Sequence, residues 1–253
     1  MHIPEKLLLA VAVLGTLSAL QPCLGSAAEG LPQPSRVQLW LRADAGVELD
    51  GRKVVRWKDQ SGHGADAVAQ PDTAPLWVEQ ALGGKPALQF DGSRTSLAVA
   101  HHPGLNASKG LTLFVVYNHT DGFRLAQKKD RSVGLTKDAW FVTPTGGLGV
   151  SGIYHSSTSF VASLARTHLM SCTFDPARAE VRIFRNGDQI RVLRDVPPLA
   201  DNSDPLYIGK RNNPGGTEGH LAGHIAELLI YDLVLPGGER KQVEEYLLGK
   251  YPH

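Results

Sequence analysis

Short runs rich in β-branched and aromatic residues recur along the chain, separated by glycine, proline or asparagine. They include VQLWL (37–41), KVVRW (53–57), LTLFVVY (111–117), VRIFR (181–185) and HIAELLIYD (224–232). Each has the length and composition of a strand, which predicts a β-rich chain. In EVRIFRNGDQIRVL, Asn186 and Gly187 separate two such runs, and both tolerate the positive φ angles of a tight type I′ turn, so a hairpin is predicted there. LTLFVVY is apolar on both faces, which predicts a central strand packed on each side, as two stacked sheets would provide. Helical periodicity is confined to the C-terminal stretch. From Pro236 to Tyr251 the apolar residues Val243, Tyr246, Leu247 and Tyr251 fall at helical spacing, with Arg240/Glu244 and Lys241/Glu245 as i,i+4 pairs on the wet side. Pro236 suits the first turn of such a helix. Many strands followed by one helix, from about 236 to 250, predict an all-β sandwich with a terminal helix rather than an alternating α/β fold.

The N-terminus departs from this pattern. Lys6 precedes an uncharged run from Leu7 to Leu20, and GSAA ends at Ala28 with small side chains at Ser26 and Ala28, so residues 1–28 are predicted to be a cleaved signal peptide. The expected location is secreted, periplasmic or on the cell surface. The apolar run is shorter than the roughly 20 residues that span a bilayer, and no later stretch is longer, so a membrane-embedded protein is not expected. Gln21 and Pro22 stand where small residues should precede a lipid-modified Cys23. The full chain has the 20% charged and 42% hydrophobic composition of an ordinary globular protein, and residues 29–253 fit one large all-β domain. A net charge of +1, from 26 basic against 25 acidic residues, supplies no field that would draw nucleic acid or anionic lipid. Beyond the leader Cys172 is the sole cysteine, so no internal disulfide forms, and HLMSCTF places His168, Met170, Cys172 and Phe174 on one strand face as part of a core.

Four stretches in order, LWLRADAGV, VVRWKDQSGHGADA, GKPALQFDG and GHIAELLIYDLVLPGGERKQVEEYLLGKY, resemble the laminin-G-like members of the concanavalin A-like lectin/glucanase superfamily, in particular its exported bacterial proteins. The resemblance runs from about Val37 to Tyr251. It implies an antiparallel jelly-roll sandwich of two sheets, a fold shared by sugar-binding lectins, adhesion modules and several glycoside hydrolases.

The residues decide among these functions. Asp59, Ser61 and His63 in DQSGHG look like a triad, but side chains two apart on one turn cannot hold triad geometry, and an aspartate folding back on backbone N–H groups explains the motif. Asp91 in FDG has the same turn role, with a calcium ligand as the alternative; no other cofactor or metal site is expected. The glucanase branch uses acids spaced as Glu-x-Asp-x-x-Glu on one strand, and no such run exists here. Glu227 and Asp232 are five apart and fall on opposite strand faces, leaving Glu227 to order backbone near the sheet end. His220 and His224 on one strand would be about 13 Å apart, too far for one metal. Asn106 and Asn118 match glycosylation sequons. No catalytic residue is therefore assigned. Sugars are held by aromatic faces and by planar amide or guanidinium groups. Trp140, Tyr154, His155, Arg211 and Asn212, with Asn213 beside them, are expected to meet at one rim and bind a glycan or cell-surface polysaccharide; the competing reading puts Trp140 in the core. The expected function is a non-catalytic carbohydrate-binding or adhesion module. A glycoside hydrolase with carboxylates from separate strands and a purely structural surface domain are the alternatives.

Overall fold

The computed structural model describes residues 30–122, 124–129, 138–150, 153–155, 166–199, 201–212 and 219–253. The expected leader, 1–28, lies outside them.

The strands form two antiparallel layers. In the first, the order across the sheet is Asp188–Leu193, Glu180–Arg185, His168–Asp175, Leu111–Asp121 and Ala222–Tyr231. The long last strand then pairs Val37–Arg42 along one half and Lys85–Asp91 along the other, and the latter pairs Leu76–Leu82. In the second layer the order is Val47–Asp50, Lys53–Trp57, Ala67–Val68, Leu97–Val99, Leu206–Ile208, Ala126–Lys129, Asp138–Thr143, Gly147–Val150 and Ile153–His155. A pairing of Lys53 with Leu76 joins the layers at one edge. This is the β-sandwich that the alternating sequence pattern predicts.

The core between the layers holds Leu39, Trp57, Phe90, Leu113, Trp140 and Phe174 among others. The expected covering of LTLFVVY needs correction. Leu113, Val115 and Tyr117 enter the inter-layer core, but Phe114 and Val116 lie under the C-terminal helix, not under another sheet. Burial pushes the Cys172 thiol up, in keeping with its place at 0% exposure in the core. At the hairpin tip Asn186 and Gly187 take φ of 49° and 88°, and the Asn186 side chain accepts a bond from Leu169 N–H at 2.9 Å, tying the turn to the neighbouring strand His168–Asp175.

The helix spans Gly237–Lys250, with Pro236 just before it rather than in its first turn. Val243, Leu247 and Tyr251 pack on the sheet as expected, whereas Tyr246 is exposed. Arg240 and Glu244, expected on the wet side, are buried: the Arg240 guanidinium stacks 3.6 Å above the Phe184 ring, and Glu244 bonds both Arg240 and the Ser171 hydroxyl. Their i,i+4 pairing is real, but a charged pair reads the same in sequence whether it faces water or a sheet.

Candidate ligand-binding face

The DQSGHG stretch is a turn built on Asp59. One carboxylate oxygen accepts the N–H groups of Trp40 and Ser61, both at 2.9 Å; the other accepts the Ser61 hydroxyl at 2.6 Å and Ala65 N–H at 3.2 Å. The serine thus donates to the aspartate, and His63 stacks beside His102 with ring centroids 5.1 Å apart. Asp91 repeats the device. Burial alone would raise its carboxyl, but bonds from the N–H groups of Arg94, Thr95 and Ser93 outweigh it and hold the group well below the usual carboxylate range.

Glu227 has a different role from the expected backbone ordering. A register shift between Ile225 and Glu227 makes a bulge, so Ala226 and Glu227 both turn toward the helix. There the fully buried carboxylate accepts the Trp40 indole N–H at 2.6 Å, the Lys250 ammonium at 2.7 Å and the Tyr251 hydroxyl at 2.9 Å. Burial would lower the Lys250 ammonium, but the Glu227 charge and hydrogen bond hold it above its ordinary value. Asp44, in the turn after Val37–Arg42, reaches the same ammonium at 3.1 Å, so two carboxylates converge there, one from a strand and one from a turn. An ammonium fills the space between them, and the group acts as a cross-link fastening the helix to the sheet.

The two histidines do not share a strand. His220 belongs to a short ribbon pairing Gly219–His220 with Lys210–Arg211, while the His224 ring meets Asn118 Oδ1 at 2.9 Å. Among the described residues no three His, Cys, Asp or Glu side chains gather as a metal cluster. Both sequon asparagines bond within the fold: Asn106 accepts from Asn202 N–H and Asn118 from His224 N–H.

Trp140 is core. Its indole is 0% exposed and donates to the Leu105 carbonyl at 3.1 Å, so it presents no face to a ligand. The physical reason is alternation: Trp140 shares its strand face with Val142, and the neighbouring strands contribute Ala126, Leu148, Leu206 and Ile208 to the same core. The intervening residues therefore face outward. By register Ala98, Tyr207, Gln127, Phe141 and Gly149 form one row across five strands, and Tyr154 stands opposite Gly149 in the next. His155 stands opposite Leu148. The side chains of Tyr154 and His155 lie outside the described residues.

This outer row is roofed by polar groups. The Arg124 guanidinium lies 3.6 Å over the Phe141 ring, which fits because Gly149 is beneath it: a Cβ there would stand 2.0 Å from two ring carbons. Buried Gln127 clasps Asn212, donating to its carbonyl and accepting its N–H, each at 3.3 Å. Lys210 holds its ammonium 5.0 Å from the centroid of the Tyr207 ring, which is half-buried, and Arg211 follows, also half-buried, paired with Gly219. The expected set is thus divided. Arg211 and Asn212 border the outer face at the row that includes Tyr154's position, and Trp140 points away from it. Tyr207, Gln127, Lys210, Phe141 and Arg124 complete the face and were not singled out from the sequence. Strand alternation puts Trp140 and Phe141 on opposite faces, but it does not say which face is inner.

A cleft of about 500 Å³ beside the start of the helix is lined by Asp175, Arg178, Glu180, Arg182, Gln189 and Arg240 among others. Its charges are largely paired with one another, Arg182 with Glu180 at 2.6 Å and Arg178 with Asp175 at 3.7 Å. Among the described residues no helix is long and apolar enough to cross a membrane.

No protein-family profile matches the chain, and no curated protein matches it in sequence. Solved structures do match its fold. The binding domain of Paraclostridial Mosquitocidal Protein 1 aligns with a TM-score of 0.60 at 14% identity, over 85% of this chain and 53% of that one. Domain 4 of AbnA, a GH43 extracellular arabinanase from Geobacillus stearothermophilus solved with arabinotriose, aligns with a TM-score of 0.61 at 13% identity, over 83% of this chain and 98% of that one. The CBM40 of Ruminococcus gnavus IT-sialidase, bound to α2,3-sialyllactose, gives 0.50 at 15% identity, over 67% and 97%. The chain therefore spans about half of the mosquitocidal protein's binding domain and nearly all of the other two. At these identities the likeness is one of fold: this chain has the β-sandwich architecture of domains that include carbohydrate binders.

Proposed function

We propose that this protein is an exported, non-catalytic carbohydrate-binding module of laminin-G-like type, comprising residues 29–253 after cleavage near Ala28, and that its ligand lies on the outer face of the second layer. The observation that carries this reading is the half-buried Tyr207 ring on a sheet face whose border supplies a lysine, an arginine and an amide-clasped loop. An aromatic ring stacks on sugar C–H groups and planar forks bond hydroxyl pairs, which is what a glycan asks of a protein surface. The solved arabinanase domain and CBM40, whose ligands are sugars, lend the reading support through shared architecture. A single shallow site of this kind binds weakly, with Kd on the order of 0.1 to 1 mM, and gains avidity from repetition on a polysaccharide.

A glycan array on the unaltered protein and on Tyr207→Ala, with and without calcium, tests the proposal. The expected result is binding that Tyr207→Ala abolishes while the melting temperature changes little. Retention of binding by the folded variant contradicts this site, and a calcium requirement would reopen Asp91 as a ligand. Incubation with polysaccharides is expected to release no reducing ends. Turnover lost on one Asp or Glu substitution would make the protein a hydrolase instead.

A further inference from the structure

Resting on that reading of the outer face, we infer that the sugar it takes is acidic, carrying carboxylates. Several cations elsewhere in the buried or half-buried polar network are held by carboxylates, and the two that border this face from the ribbon are not. Arg36, Arg42, Arg56, Lys58, Arg182, Arg240 and Lys250 each meet a carboxylate within 4 Å. Lys210 and Arg211 meet none among the described residues; Lys210 instead holds its ammonium over the Tyr207 ring. A cation left without a counter-ion beside an aromatic ring is poised to accept one from a ligand that also stacks.

The two cations sit on a scaffold that fixes them. Lys210–Arg211 is one arm of the two-stranded ribbon, with Lys210 opposite His220 and Arg211 opposite Gly219. The ribbon's base is held by two backbone bonds, Gly209 N–H to the Leu125 carbonyl at 3.0 Å and Leu221 N–H to the Gly209 carbonyl at 2.8 Å. Gly209 has φ of +77°, and a Cβ there would stand 2.3 Å from the Phe90 ring, so the chain turns out of the sheet at a position that admits only glycine. Beyond the pair, Gln127 clasps Asn212. The chain is thus anchored on both sides of adjacent lysine and arginine side chains. An ammonium gives a point charge and a guanidinium gives a fork matched to a carboxylate, while Tyr207 supplies the surface for a sugar ring. A polyphosphate is disfavoured as the ligand, because two cations on a chain of net charge +1 make a local site and not an extended basic field.

Titration calorimetry with matched sugars tests this: trigalacturonate against galactotriose, and trimannuronate against mannotriose, each pair sharing its linkage. At least one acid is expected to bind tenfold or more tightly than its neutral partner, and the preference should shrink as salt rises, since it is electrostatic. Lys210→Gln with Arg211→Gln should remove the preference and leave any residual neutral binding, while Tyr207→Ala removes both. Neutral sugars binding as tightly as their acids would overturn the charge inference and leave the face as a carbohydrate site. Salt-insensitive acid binding retained by the double variant would also overturn it. Failure of all four sugars to bind the unaltered protein, under conditions where the array also shows no glycan, would sink the reading and the inference together.

Discussion

Replacing Trp140 by alanine separates the core role from the sugar-stacking role that the sequence alone also allows. The indole is fully buried between the layers and its N–H is spent on the Leu105 carbonyl at 3.1 Å. Truncating a core tryptophan costs about 3 to 5 kcal/mol through lost burial and the cavity left behind. Leaving the Leu105 carbonyl without its donor adds about 1 kcal/mol. The expected loss of about 4 to 6 kcal/mol is a large share of the roughly 5 to 15 kcal/mol that stabilises a domain. For a chain of this size it corresponds to a melting temperature lower by about 10 to 20 °C. Guanidinium unfolding followed by tryptophan-independent circular dichroism measures it, with the midpoint falling and the slope unchanged. Trp140→Phe, which keeps most of the volume, should lose less than half as much and bind glycan normally. A Trp140→Ala protein that loses under about 1 kcal/mol of stability but all sugar binding would refute the assignment.

Two further outcomes follow from the polar interior. Glu227→Gln should cost about 3 kcal/mol, because an amide cannot accept from the indole, the ammonium and the phenol that now share the carboxylate, and the half-buried Lys250 keeps only Asp44 as a counter-charge; calorimetric unfolding checks this, and a neutral result would mean that this cross-link does not hold the helix. Burial lowers the fully buried Lys128 ammonium to about 8, with Asp204 and Asp201 opposing the shift. The unfolded chain therefore holds more protons than the folded one between about pH 8 and the ordinary value of 10.5, and this group makes stability rise with pH across that window. Compared with Lys128→Met, the unaltered protein should gain on the order of 3 kcal/mol from pH 7.5 to 10.5; parallel curves for the two proteins would show that the lysine is not desolvated.

Much of the fold was legible because strand alternation, glycine-bounded turns and one terminal helix are local signals. The Asn186–Gly187 hairpin, the Asp59 and Asp91 turns and the core place of Cys172 need only neighbouring residues to be read. The misreadings share a cause. Whether Trp140 or Phe141 faces the core, whether Arg240 and Glu244 face water, and what covers Phe114 all depend on which element packs against which face, and period alone is silent on that. Glu227 was obscured by a bulge, which shifts a side chain to the other face without leaving a mark in composition. The candidate site was half legible for the same reason. Arg211 and Asn212 stand out in a glycine-rich loop, but Tyr207, Gln127 and Lys210 look like ordinary strand residues until the register aligns them.

The proposed ligand site is the outer face of the second layer. Backbone amide chemical-shift mapping during titration with an array-positive oligosaccharide tests it without altering a residue. Shifts are expected to concentrate at Ala98, Gln127, Tyr207 and Lys210 to Asn212, on adjacent strands and the ribbon beside them. Shifts confined to the cleft lined by Asp175, Arg178 and Arg182 at the start of the helix, with the Tyr207 row silent, would contradict it.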